Sequence, residues 1–213
     1  MSNDLVPVSE EQAKAVAAVA EATGKGIDAV SQFLSYWAGV FDTAPHDLFA
    51  WLVGDRLHHK RIRNLHKIMQ ETEAILEQRK VKEPRAPSED IAAPLFEAAR
   101  QQDHEELQHL WAQLLANAMD PERTSRVRQE FVETLKRLHP RDALSLRLFS
   151  DEPDGQLRPN ARAALMEKLR LSQDEAQVTL DALEQAKCLF KSSSNVGWFL
   201  TPFGRELMRA CAP

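Results

Sequence analysis

A chain of 213 residues with 43% hydrophobic content is long enough for one domain or two small ones and can bury a sizeable core. Its 7 glycines, abundant Leu and Ala and mostly helical apolar spacing predict an all-α, mainly helical fold with one small β-hairpin as the exception. The formal charge of -5 gives no global pull toward nucleic acid or anionic lipid, so such binding would require a local basic patch.

In chain order, Ser9-Glu10-Glu11-Gln12 reads as a capping box that opens a helix through about Ala22, stopped by Gly24-Lys25-Gly26. Val30, Phe33, Leu34, Trp37, Val40 and Phe41 form the apolar stripe of a second helix, closing a hairpin with the first. From Pro45 to roughly Lys82 the helical pattern meets no breaker but Gly54, which predicts a helix on the order of 50 Å long. Ile62, Leu65, Met69, Thr72 and Leu76 give it a near-heptad seam for one long neighbour, either a second copy or another helix of the chain. Residues 81–94, with three prolines, read as a linker, and Ser88 is the candidate cap of the next helix.

The segment DHEELQHLWAQLLANAMD, residues 103–120, predicts a buried helix. Leu107, Leu110, Trp111, Leu114, Leu115, Ala118 and Met119 line one wide apolar face. Asp103 with Glu106 suits a capping box at its start, and Asp120-Pro121 ends it. Beyond Arg141 the pattern gives helices at residues 142–150 and 160–170, then a third helix capped by Ser172 and Glu175. Two short strands at 188–190 and 197–200 and a last helix capped by Thr201-Pro202 complete the chain. Three helices and a hairpin resemble a winged-helix unit. The expected division is 1–82, an N-terminal hairpin with the long helix; 83–140, a linker with a central helical pair; and 141–213, the winged-helix-like unit.

Between Arg56 and Gln70 stand five basic residues, three histidines and no acid, and Arg56, Lys60, Arg63 and Lys67 share one helical face. That ridge suits anionic lipid headgroups, nucleic-acid phosphates or an acidic protein surface. It equally suits a solvated face paired with Asp103, Glu105 and Glu106 of the same chain. Phe33, Trp37, Phe41, Phe49 and Trp51 lie nearby, and aromatic rings beside cations fit a membrane boundary or a partner surface. A transmembrane span is not expected, because Asp28, Asp42, His46 and Asp47 interrupt the apolar run and each buried Asp would cost about 3 kcal/mol.

No metal or other cofactor is expected. His104 and His109 are five apart, where two ligands on one helical face need four. Asp55 with His59, and His59 with His66, are better spaced, but nothing completes a site. No nucleophile elbow, P-loop or dinucleotide turn is present, so the chain reads as a non-enzyme without a small-molecule substrate. Cys188 and Cys211 are too few for a disulfide framework, and Cys188 should pack as a small apolar residue. The N-terminus lacks the pattern of a secretory signal, so a cytoplasmic location is expected, with a peripheral membrane contact as a variant.

DNA is an unsuitable partner for the C-terminal unit. Its third helix carries Asp174, Glu175, Asp181 and Glu184 against Lys187 alone, whereas groove insertion needs cations near phosphates. Protein docking or a structural use fits better. Trp111, Leu114 and Leu115 read as core, and Asn117 as either a satisfied buried amide or a surface residue.

The segment 103–120 with RVRQEFVETLKRLHPRDALSLRLF, residues 126–149, resembles the bacterial Abi-alpha family, whose name refers to abortive infection, a defence against phage. The likeness covers roughly Gly39 to Phe149 and rests best on Gly54-Asp55, Arg61, Asn64, Leu107, Trp111, Leu114, Leu115, Asn117 and Asp120. It implies a phage-defence role, as a non-enzymatic effector or sensor acting by binding. The rival reading is a scaffold or regulator that meets another protein, or a second copy, through the long helix and the C-terminal unit.

Overall fold

The structure, a computed structural model, describes residues 10–41, 58–152, 155, 157, 160–192 and 197–212. Helix α1 (Glu10–Thr23) ends at Gly24, whose φ of 69° lets the chain reverse, and α2 (Ile27–Phe41) returns beside it. Their mutual face, Val16, Val19, Val30 and Leu34, joins Ile62 in a small apolar cluster. Helix α3 (His58–Gln78) covers the described part of the segment over which one long helix was expected. Residues 42–57, with Arg56, Phe49, Trp51, Gly54 and Asp55, lie outside the described residues, as do Ser9 and the side chain of His59.

The seam of α3 is filled from within the chain. Ile62, Leu65, Met69, Thr72 and Leu76 are all buried, and α5 (Glu105–Met119) is the most extensive neighbour, with α1 and α4 (Glu89–Gln101) alongside. Thr72 Oγ1 donates to Ile68 O at 2.8 Å and reaches Ala112 O at 3.3 Å, so the one polar seam residue is satisfied.

Helix α5 is more enclosed than its single wide apolar face predicted. Gln108, Gln113, Ala116 and Asn117 are buried as well as the apolar residues, and only its first turn and His109 reach solvent. It is covered on several sides, by α3, α4, α7 (Pro140–Asp151) and α10 (Pro202–Ala210). The expected capping box is corrected. His104, not Asp103, occupies the N-cap position without a side-chain cap bond, and Asp103 turns instead to Lys60. Ser88 does sit at the N-cap of α4, but only its carbonyl is used, accepting from Ile91 N and Ala92 N. Asp120 ends α5 as expected, its backbone N–H donating to Ala116 O.

After a short 3₁₀ turn (Thr124–Arg126) and α6 (Gln129–Leu135), α7 starts at a His139 capping box with Pro140 in the first turn. Helices α8 (Ala161–Leu169) and α9 (Gln173–Gln185) come next, the latter opened by the predicted Ser172–Glu175 capping box. Strands β1 (Leu189–Lys191) and β2 (Trp198–Leu200) pair antiparallel, with Leu189 opposite Leu200 and Phe190 opposite Phe199. Thr201 caps α10 by accepting from Gly204 N at 2.9 Å. A Cβ on Gly204 would stand 2.3 Å from Cys188 O, so only glycine lets α10 begin this close to the hairpin.

One buried apolar cluster runs from Trp37 to Cys211, through Leu76, Leu95, Trp111, Leu114, Phe149 and Leu180. Residues from all three expected segments contribute to this cluster, as α5 packs on α3 and also on α7 and α10.

Candidate functional site

Positions 60, 63 and 67 of α3 are three and four apart and share one edge of the helix. All three side chains are exposed, while Ile62, Asn64, Leu65, His66 and Ile68 between them are buried. The start of α5 faces this edge. Lys60 Nζ donates to Asp103 Oδ2, and Lys67 Nζ donates to Glu105 Oε1 at 2.7 Å. One helical turn further along, Glu71 Oε1 meets His109 Nδ1. The ridge is thus laced to the acids that the sequence offered as its internal partners, with Arg63 exposed between the two paired lysines.

The lacing is loose. The Lys60 and Lys67 side chains remain 61% and 54% exposed, and Glu105 is 82% exposed. The hydrogen bond from Lys60 holds the Asp103 carboxyl below the usual carboxylate range, and that from Lys67 does the same for Glu105. Ion pairs this exposed contribute little to stability and are screened by salt, so an external anion can exchange for either carboxylate. Between the helices lies a cavity of about 560 Å³, lined by Lys67, Gln70, Glu71, Glu105, Gln108 and His109.

Of the expected aromatic surface, Phe49 and Trp51 lie outside the described residues, and Trp37 is withdrawn from it. Trp37 is fully buried, stacked on Phe41 with centroids 6.0 Å apart, while Phe33 and Phe41 are half-buried against the core. Phe41 also packs on Phe96 at 5.3 Å, and Phe33 on the His66 ring at 4.7 Å. These rings cover α3 because the α2 stripe that carries them is needed to close the core. His66 is buried too, and burial with the nearby Lys25 charge pushes its pKa down to about 4, so it is neutral at pH 7.

Of the remaining motif residues, Gly54 and Asp55 lie outside the described residues and most of the others are buried. Leu107, Trp111, Leu114 and Leu115 are core, Asn64 is buried, and Arg61 is half-buried and engaged. Asp120 is 5% exposed, and its Oδ1 accepts from Glu122 N at 3.0 Å. Asn117 is the satisfied amide of the two readings open to it. Its Oδ1 accepts from Arg79 Nη1 at 2.8 Å, and its Nδ2 donates to Ala210 O at 2.7 Å. Arg79 Nη2 also donates to Gln113 Oε1 and Ala212 O, at 3.0 and 3.1 Å. This node ties α3, α5 and the end of α10 together, and sequence reasoning missed Arg79 and Gln113. The available signal was Asn117 itself, an amide inside an apolar helix that had to find a partner.

Cys188 and Cys211 are buried and free, and burial pushes the Cys188 thiol up to about 12, which makes it a packing residue with little thiolate. Among the described residues, no group of three or more His, Cys, Asp or Glu side chains could hold a metal ion. No described helix is long and apolar enough to cross a membrane.

No curated protein and no solved structure matches the chain. Residues 59–195, well over half of the sequence, match the family model described as abortive infection alpha. That span runs from the α3 ridge through Arg79 and α5 to β1, and on it the chain belongs to the abortive infection alpha family.

Proposed function

We propose that this protein serves in abortive infection against phage as a non-enzymatic effector or sensor, and that it works by binding an acidic protein surface through the α3 ridge. The defence role is inferred from family membership. The observation that supports the binding surface is the exposed line of Lys60, Arg63 and Lys67, whose internal partners are exposed and exchangeable.

Magnitude favours a protein over a lipid surface. A cation near an anionic membrane contributes about 1 kcal/mol, so three give about 3 kcal/mol. A millimolar dissociation constant already requires about 4 kcal/mol. Of the described rings that would add apolar insertion, Trp37 is fully buried and Phe33 and Phe41 are half-buried against the core. A partner protein can supply further contacts around the same ridge, and its acidic groups would replace Asp103 and Glu105.

Plating a panel of phages on cells expressing the protein tests the reading. Wild type should lower plaque counts, and the combined variant Lys60→Gln, Arg63→Gln, Lys67→Gln should restore them at unchanged protein level and melting temperature. Full protection by that variant refutes the ridge. Flotation of wild type with phosphatidylserine vesicles at physiological salt should leave the protein at the bottom, and co-flotation that depends on the same three cations would return the lipid reading.

A further inference from the structure

Arg79 stands just beyond the last turn of α3, half-buried, and every acceptor it reaches among the described residues is neutral: Asn117, Gln113 and the Ala212 carbonyl. A guanidinium withdrawn from water ordinarily takes a carboxylate. The carboxylate in range, Asp120, is already engaged by Glu122 N and stands 3.6 Å from Arg123 Nε. Burial, and then repulsion from Arg123 and Arg126, pushes the Arg79 pKa down. Arg79 and Arg123 therefore stand by a single buried carboxylate, and the local charge is unbalanced.

The imbalance opens onto a cavity of about 480 Å³ between the turn after α3 and the turn after α5. Arg79, Lys80, Lys82 and Arg123 line it with Asp120. Glu83 and Glu122 also line it and are exposed, as are Lys80 and Lys82, so the four cations outnumber the carboxylates by one and the excess lies at the half-buried Arg79 and Arg123. Of the five N–H donors of Arg79, three are committed among the described residues, which leaves two for a ligand. The volume exceeds that of a single phosphate and lies within the range of small-molecule sites.

We propose that this cavity binds a small phosphate-bearing anion, held by the forks of Arg79 and Arg123 with Lys80 and Lys82 at its mouth. Phosphate is favoured over a monocarboxylate because the guanidinium forks of Arg79 and Arg123 can each pair with two of its several oxygens. The site is separate from the α3 ridge and does not depend on it.

Titration calorimetry on the full chain at low salt tests this with two probes, inorganic pyrophosphate and adenosine 5′-diphosphate without magnesium. At least one should bind saturably and weaken as salt rises. Arg79 also anchors the C-terminal residues, so the test rests on Arg123→Ala and Lys82→Ala, each of which should weaken binding about tenfold with an unchanged melting temperature. Lys67→Gln on the ridge should leave it unaltered. Equal affinity for both probes identifies a site for the phosphate group itself, and affinity about tenfold or more higher for the nucleotide identifies a nucleotide site. Failure of both probes to saturate at about 10 mM, or equal affinity in wild type and both alanine variants, overturns the proposal.

Discussion

The two ends of the α3–α5 pair use charge in opposite ways. At one end Lys60 and Lys67 meet Asp103 and Glu105 in open water, where opposite charges pair easily and part easily. At the other, Arg79 is held by neutral acceptors on α5 and at the C-terminal end of α10, where desolvation makes each lost hydrogen bond costly. The first arrangement contributes little to the fold, whereas the second fixes the relative position of three helices. On the proposed function, the same pair of helices presents a binding edge without loosening its core.

Perturbations should separate the two ends by size of effect. The largest is expected in the core between them: Trp111→Ala, at 1% exposure, should cost about 3–5 kcal/mol in urea denaturation through the cavity it leaves. Asn117→Ala strips the Arg79 node of its central acceptor and should cost about 2–3 kcal/mol by the same assay.

Acid should act through His66. Its folded pKa of about 4 lies below the ordinary value of 6.5, so the unfolded chain takes up the proton first. The His66 contribution to stability is complete above pH 6.5 and falls as pH drops toward 4, by about 3 kcal/mol more in wild type than in His66→Gln. Equal pH profiles in the two proteins would contradict the buried neutral imidazole. The smallest effect belongs to the outer edge, where Lys60→Ala or Lys67→Ala should leave the urea midpoint unchanged. A clear loss there would mean that the lacing holds the fold and cannot serve as an exchangeable surface.

Much of the fold was legible because local signals agreed with the global packing. Ser172 and Glu175, Thr201-Pro202 and Gly24 each mark an element end by chemistry that acts within a few residues. The ridge and its candidate acids were legible for the same reason, as periodicity places Lys60, Arg63 and Lys67 on one edge. What sequence could not give was long-range choice. Asp103 abandons the cap position for a lysine 43 residues away, and Arg79 finds the carbonyl of Ala212 across 133 residues. Trp37 and Phe41 could be read as a membrane edge or, more readily, as core, and it takes the burial of Trp37 and the packing of Phe41 on Phe96 to decide it. Single-helix patterns register which side chains share a face but not which face is covered.

The measurement closest to the central claim is fluorescence anisotropy of a labelled decaglutamate peptide titrated with wild type, with Asp103→Asn/Glu105→Gln, and with Lys60→Gln/Arg63→Gln/Lys67→Gln at low salt. If the internal carboxylates compete for an exchangeable ridge, the acid-neutral protein binds more tightly than wild type and the ridge-neutral protein loses binding. Identical affinity in all three proteins would contradict the account.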